Sequence, residues 1–178
     1  MSDRSRTAPD FSRPLEALKK CHERIRSECE KLRELAAHLK DKGSDQQTRQ
    51  TAAAVMRYFD IAARFHHQDE EEDLLPRMMA AATIGRGSKL TRMVAEIANE
   101  HRAMDREWTE MRAVLQEISA GEKAAVLDAL DVDRFVKLYE LHIVIEEASV
   151  FPLAEMLLSN EDFAAIGASM AQRRGAGP

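Results

Sequence analysis

Two short segments of this 178-residue chain carry side chains able to hold a metal ion. His66 and Glu70 lie four residues apart, as do His142 and Glu146, and at that spacing a helix projects both side chains from one face. The segments are copies of one design. His66, Glu70, Glu71 and Pro76 align with His142, Glu146, Glu147 and Pro152 at a constant offset of 76, and Phe59 and Phe135 obey the same offset. A further histidine precedes each copy, His22 in one half and His101 in the other. Imidazole together with carboxylate suits iron, manganese or zinc. A carboxylate can bridge two cations while imidazoles cap each from outside, so four His and two Glu describe a dinuclear site more naturally than a closed tetrahedral zinc site. One His-x-x-x-Glu pair alone is usually a solvated ion pair; two copies, each with a histidine on the preceding element, favour metal.

The elements that must position these residues are helices. Seven glycines and five prolines leave long uninterrupted stretches of Ala, Leu, Glu, Lys, Arg and Met. The first stretch runs from about Pro14 to Lys42, with Leu15, Leu18, Ile25, Leu32, Leu35 and Leu39 forming one apolar stripe. Gly43 ends it, and Ser44 or Asp45 can cap the next. The second stretch, about Gln46 to Ala82, places Val55, Phe59, Ala62 and Phe65 on one side, and Pro76 predicts a kink in its last part. Gly85, Gly87 and Ser88 form a break. A third stretch then extends from Lys89 to about Ser119 through Leu90, Met93, Val94, Ile97, Met104, Trp108, Met111 and Leu115, and Gly121 closes it. The fourth covers Glu122 to Leu158, with Asp131 to Asp133 as candidate capping residues for a restart, and Pro152 mirrors Pro76.

Four long helices with short connections imply an all-α, antiparallel up-down-up-down four-helix bundle over residues 13–170, with Asn160 to Met170 as a short docking helix. Residues 1–12 and 171–178 read as flexible ends. A height test supports the arrangement: His22 and His66 lie 21 and 23 residues on either side of Gly43, and His101 and His142 lie 20 and 21 residues on either side of Gly121. The mismatches are roughly 1.5–3 Å at the helical rise, so each hairpin can present its histidines in one layer.

Composition narrows the function classes. The formal charge of −5 argues against an electrostatic grip on nucleic acid or anionic lipid. No window approaches the ~20 apolar residues of a membrane span, and the first residues lack an apolar signal core, so a cytoplasmic location is expected. Cys21 and Cys29, eight residues apart on one helix, are too far apart to bridge and read as reduced, small buried residues, with a redox-responsive thiol beside the metal as the competing reading of Cys21. An amphipathic bundle of this kind is compatible with a monomer or a homodimer.

Several residues offer competing readings. His67 and Glu71 form an overlapping i, i+4 pair turned about 100° from His66 and Glu70. The position matching His67 at the offset of 76 is Ile143, so His67 is read as a residue beside the donors, a fifth donor, or a core-edge residue. Glu71 and Glu147 can either orient donor imidazoles through their outer N–H groups or be plain surface carboxylates. His38 is read as a surface residue near a helix C-terminus. Met93, Met104 and Met111 fall on the apolar spacing of their helix and need no copper. The acidic run from Glu70 to Asp73 lacks the irregular backbone that a calcium loop requires. Trp108 can wall a cavity or fill the core.

With these residues in view, about residues 12 to 158 resemble the hemerythrin-like family, also called the HHE cation-binding domain. The family pattern is one His on the first helix, His-x-x-x-Glu on the second, one His on the third and His-x-x-x-Glu on the fourth, often with a following Pro. His22, His66, Glu70, His101, His142 and Glu146 fall on the family's ligand positions. The resemblance implies two non-haem iron ions per chain, bridged by both carboxylates and by an oxo or hydroxo group.

Departures from the oxygen carriers bear on function. Those supply two His at i and i+4 from the third helix, whereas Ile97 and Asp105 flank His101 at that spacing here. Their fourth-helix carboxylate is an Asp one residue further on, where this chain has Glu147 after Glu146. Four imidazoles, two bridging carboxylates and one bridging oxygen leave two coordination positions open on a pair of octahedral irons, against one in a carrier with a fifth His. The site is thus closer to the di-iron domain of proteins that repair iron centres, although the cysteine-containing N-terminal segment of those proteins has no counterpart in residues 1–12. The expected function is a di-iron protein that binds, senses or reacts with dioxygen, nitric oxide or peroxide, or handles iron. An enzyme turning over peroxide or nitric oxide, a single zinc or manganese site, and a metal-free interaction bundle are the competing readings.

Overall fold

The computed structural model describes residues 10–82, 87–122 and 125–176, and among these there is no strand. Five helical elements follow one another: α1 (Pro14–Lys42), α2 (residues 46–81), α3 (Gly87–Ala120), α4 (residues 129–157) and α5 (Asn160–Arg173). None is long and apolar enough to cross a membrane. The expected break at Gly85 lies outside the described residues, and Gly87 and Ser88 already belong to α3.

Local chemistry sets most of the boundaries. Pro14 opens α1, where its missing N–H costs nothing, and Gly43 ends it at φ 74°, returning its N–H to the Leu39 carbonyl. Asp45 caps α2 by accepting from the Thr48 N–H, while the Thr48 hydroxyl pairs with the Asp45 backbone. Gly121, at φ 89°, follows α3. The fourth helix departs from the sequence expectation. It starts at Ala129, capped by Asp128, which accepts from the Leu130 and Asp131 N–H groups, so neither Glu122 nor the 131–133 triplet begins it. Asp128 wins because its extended backbone aims the carboxylate at those two donors.

The kinks expected at the prolines take a specific form. Both α2 and α4 run continuously through Pro76 and Pro152, but each widens into a π-helical turn just before its proline, Asp69–Leu74 in α2 and Glu146–Val150 in α4. A proline ring crowds the carbonyl one turn back and offers it no N–H, and a widened turn relieves both conflicts. A further π turn, Tyr58–Ala63, shifts the inner face of α2 by one residue. Ala63 is therefore buried, and the expected inner residues Ala62 and Phe65 are only half-buried.

Packing follows a ring in which α1 contacts α2 and α4, and α3 contacts the same two helices. Two apolar clusters result. One gathers Ile25, Leu32, Val55, Met104, Trp108, Leu115 and the repeat-related pair Phe59 and Phe135, whose rings meet edge to face at 5.2 Å. The other gathers Leu18, Leu74, Met78, Ile97, Phe151, Ile166 and Met170. Along every long helix the histidine lies between a residue of one cluster and a residue of the other, so a polar layer separates two dry cores.

The C-terminal helix is a strap across α1 and the π turn of α2. It continues to Arg173, past the expected end at 170. Arg173 and Arg174, read from sequence as part of a loose end, instead grip Asp69, whose side chain is fully buried. Arg174 does so with two hydrogen bonds of 2.6 and 3.0 Å, and Arg173 also reaches Asp73 at 2.8 Å and Glu72 at 3.1 Å. A buried carboxylate demands a charged partner, and nothing in the local sequence of the arginines announces that demand. Gly167 lets the strap close: a Cβ there would stand 2.0 Å from the Phe11 carbonyl oxygen.

Candidate metal centre

The polar layer is built by all four long helices. α1 supplies His22, α2 supplies His66 and Glu70, α3 supplies His101, and α4 supplies His142 and Glu146; each is at most 2% exposed. They form two overlapping groups, His22 with His66, Glu70 and Glu146, and His101 with His142, Glu70 and Glu146. In each group the candidate donor atoms all lie within 4.8 Å of one another, and both carboxylates are common to the two. The structure thus brings together all six residues singled out in the sequence.

Both carboxylates face histidines of both groups. Glu70 turns Oε1 to His66 Nε2 and Oε2 to His101 Nε2, at 3.4 Å each, while Glu146 Oε2 lies 3.1 Å from His22 Nε2 and 3.3 Å from His142 Nε2. Glu70 and Glu146 occupy the π turns ahead of the prolines, so the widening falls where the carboxylates must reach the axis.

Three imidazoles are held from outside by carboxylates on neighbouring helices. His22 Nδ1 donates to Glu147 at 2.9 Å, His101 Nδ1 to Glu71 at 2.7 Å, and His142 Nδ1 to Glu100 at 2.8 Å. In a neutral ring, a proton held at Nδ1 leaves the Nε2 lone pair pointing inward. Glu71 and Glu147 therefore take the orienting role considered for them, with Arg26 bonding the other Glu147 oxygen at 3.2 Å. Sequence reasoning missed Glu100. The available signal was its place directly before His101, one step around the helix toward α4.

The inner atoms lack partners. His22 Nε2, His66 Nε2 and all four carboxylate oxygens of Glu70 and Glu146 are buried without a hydrogen bond among the described residues, and so is the outer nitrogen His66 Nδ1. Their separations of 3.1–3.4 Å do not have hydrogen-bond geometry, and only His101 Nε2 and His142 Nε2, at 3.1 Å, do. A self-satisfied polar core would pair these atoms, since each unpaired buried group costs roughly 1–3 kcal/mol. The donor set fits a cation, which would satisfy all six inner atoms and leave only the outer His66 Nδ1 unpaired.

Electrostatics agree. Without a cation, burial and then repulsion from Glu146 push Glu70 well above the usual carboxyl range. Burial acts on Glu146 in the same direction, but His142 and His22 hold it well below. Burial, then His22, drives His66 well below the usual imidazole range. Burial would lower His142 too, yet Glu146 and Glu100 raise it to about 9. One buried carboxyl and the His142 ring thus keep protons that a cation would displace.

The remaining candidates lie beside the centre or away from it. His67 stacks on the His101 ring at 4.0 Å and 12° and belongs to neither donor group, while Glu71 bonds His101. His38 pairs with Asp45 at 2.9 Å. Trp108 fills the Phe59 cluster and donates to Asp60 at 3.0 Å. Met104 and Met111 are core residues and Met93 packs at a core edge. Burial pushes the Cys21 thiol up to about 11 and that of Cys29 up to about 12, so neither carries thiolate at neutral pH.

An all-helical layer of buried imidazoles and carboxylates between two apolar clusters defines a metal-binding helical domain. The chain belongs to the hemerythrin HHE cation-binding domain family, which it matches over residues 13–154, a span that ends before α5. It is also similar to an uncharacterized protein of Haemophilus influenzae, 27% identical over 164 residues that cover 92% of this chain and 91% of that protein.

Proposed function

We propose that the chain is an antiparallel up-down-up-down four-helix bundle holding two non-haem iron ions. His22, His66, His101 and His142 would hold the ions from outside, and Glu70 and Glu146, common to both donor groups, would be shared between them. It is a cytoplasmic protein that binds, senses or reacts with a small ligand such as dioxygen, nitric oxide or peroxide, or handles iron. The observation that supports this reading best is the set of six buried inner atoms without partners, within two donor groups that have both carboxylates in common.

Iron held by these residues would supply inner-sphere redox chemistry toward a small ligand. The protein's part is positioning and exclusion. Glu147, Glu71 and Glu100 hold protons at the outer ring nitrogens, and Phe151, parallel to His22 at 5.4 Å, and His67, parallel to His101, pin two rings from the side. The two apolar clusters keep bulk water from both ends of the layer.

The test is metal content and spectrum. Protein purified without chelator is expected to contain about two irons per chain, with visible absorption that changes on reduction by dithionite and again in air. One zinc per chain, or no metal that added Fe(II) restores, overturns the reading. If iron is found, turnover of peroxide with a reductant, lost in Glu70→Ala and His142→Ala, makes the protein an enzyme; saturable binding without turnover makes it a carrier or sensor.

A further inference from the structure

The repeat that relates the two halves also relates the groups outside the donors, and there it is incomplete. Glu71, next to Glu70 on α2, takes the outer nitrogen of His101 on α3, and Glu147, next to Glu146 on α4, takes that of His22 on α1. Those two contacts are counterparts. Glu100, directly before His101, takes the outer nitrogen of His142 at 2.8 Å. Its counterpart is the residue directly before His22, which should serve His66, and that residue is Cys21.

A thiol is a weak hydrogen-bond acceptor and, uncharged, lends no negative charge. The consequence is visible at His66. Its side chain is 1% exposed, and its Nδ1 is the one outer nitrogen of the four histidines with no hydrogen-bond partner among the described residues. Both imidazoles of the His101 and His142 group are thus backed by carboxylates, and only one of the His22 and His66 group is.

From this asymmetry we infer that the two cation positions are unequal: the His101 and His142 group binds first and tightly, and the His22 and His66 group is the weaker, exchangeable position. The inference rests on the dinuclear reading above. A carboxylate accepting the outer N–H makes an imidazole a better donor and fixes its ring, and losing such a partner lowers metal affinity by about 10–100-fold. Glu100 and Cys21 are therefore opposed positioning residues, one strengthening its group and the other leaving His66 unsupported. A centre with one firmly held and one exchangeable cation suits loading, loss or repair of a single metal.

The experiment is anaerobic Co(II) titration of the metal-free protein, followed by visible absorption and equilibrium dialysis, with far-UV circular dichroism as a check on folding. Mutual repulsion of two cations produces two steps even in a symmetrical site, so the ligand variants decide. His66→Ala is expected to bind one Co(II) with the affinity of the first wild-type step. His142→Ala is expected to bind one Co(II) about 10–100-fold more weakly. Glu100→Ala alters a half-buried residue, leaves all six donors in place, and is expected to weaken the first step by the same factor, while Cys21→Glu strengthens the second. Equal affinities in the two histidine variants, with the first step unmoved in Glu100→Ala, overturn the inference while leaving a dinuclear site. Wild-type protein that takes up no Co(II), or only one, overturns the dinuclear reading itself.

Discussion

Asp69 is a fully buried carboxylate one residue from Glu70, and its charge is met by Arg173 and Arg174 at the end of α5. Replacing both arginines by alanine leaves that carboxylate in the interior without a cation, which costs about 3–5 kcal/mol. The loss exceeds that of a surface ion pair, about 0–1 kcal/mol, because Arg174 grips both Asp69 oxygens away from water. For a domain of this length it corresponds to a fall in melting temperature of roughly 6–20 °C, at about 2–4 °C per kcal/mol. Urea unfolding followed at 222 nm measures it. Asp69→Ile in the same background should recover most of the loss, since Ile145 occupies the matching position in α4 and an apolar residue needs no cation. Burial, opposed by Arg174 and Arg173, already raises Asp69 above the usual aspartate range, and removing the arginines raises it further. A carboxyl whose folded pKa exceeds its unfolded one loses stability as pH rises through the folded value. The defect of the double-alanine variant is therefore largest near neutrality and shrinks as pH falls toward ~4, where the unfolded carboxyl is also protonated. A double variant within about 1 kcal/mol of wild type at neutral pH, or an Asp69→Ile variant that restores nothing, refutes the reasoning.

Other perturbations test the remaining parts of the argument. Glu70→Gln should abolish most metal content yet leave the metal-free protein within about 1 kcal/mol of wild type, because without a cation this carboxyl is held in its neutral form; iron analysis beside urea unfolding checks both halves. Removing metal with a chelator should lower the melting temperature by roughly 5–11 °C, the equivalent of about 2.7 kcal/mol for a cation present at a hundredfold its dissociation constant, and a scan with and without chelator reads it directly. Gly167→Ala should destabilise by about 1–3 kcal/mol, because the new Cβ meets the Phe11 carbonyl, and faster limited proteolysis near α5 would show the strap loosening. Asp128→Ala should cost about 1 kcal/mol through loss of the α4 cap, detectable as earlier urea unfolding.

What could be read in the sequence and what could not divide along physical lines. The six candidate residues were legible because helical spacing and an offset of 76 are properties of sequence position, and the structure brings all six into one layer. The stripe from Leu15 to Leu35 and the glycines at 43 and 121 were legible for the same reason. The π turns were not: two arise from the conflict between a proline and a carbonyl one turn back, and the third, Tyr58–Ala63, has no proline to announce it, so apolar spacing misplaced the inner face of α2 onto Ala62 and Phe65. Glu100 stayed hidden because its partner lies 42 residues away on another helix. The strap was hidden for a related reason: Arg173 and Arg174 look like a loose end until Asp69, more than a hundred residues earlier, is seen to be buried beneath them.

The separation of donors from their supports gives the proposed centre its logic. A buried carboxylate is expensive wherever it stands, and two facing each other are more so, which is why Glu70 holds a proton in the metal-free layer. Among the inner atoms only His101 Nε2 and His142 Nε2 pair with each other, and neither carboxylate gains a hydrogen bond. The fold uses most of its hydrogen bonds on the outer faces of the rings, through Glu147, Glu71 and Glu100, and leaves the other inner atoms unmatched. Such an arrangement is stabilised from outside and completed from inside, so that a cation entering the layer meets oriented donors and removes the unpaired groups in one event. Variants at the two levels must then differ in kind. Loss of an inner donor such as His101 or Glu146 reduces how many cations are held, whereas loss of an outer carboxylate such as Glu71 leaves the number intact and changes how tightly each is held. Equal stoichiometric losses from both kinds of variant would mean that the outer carboxylates are themselves ligands, and the division drawn from the hydrogen bonds would have to be abandoned.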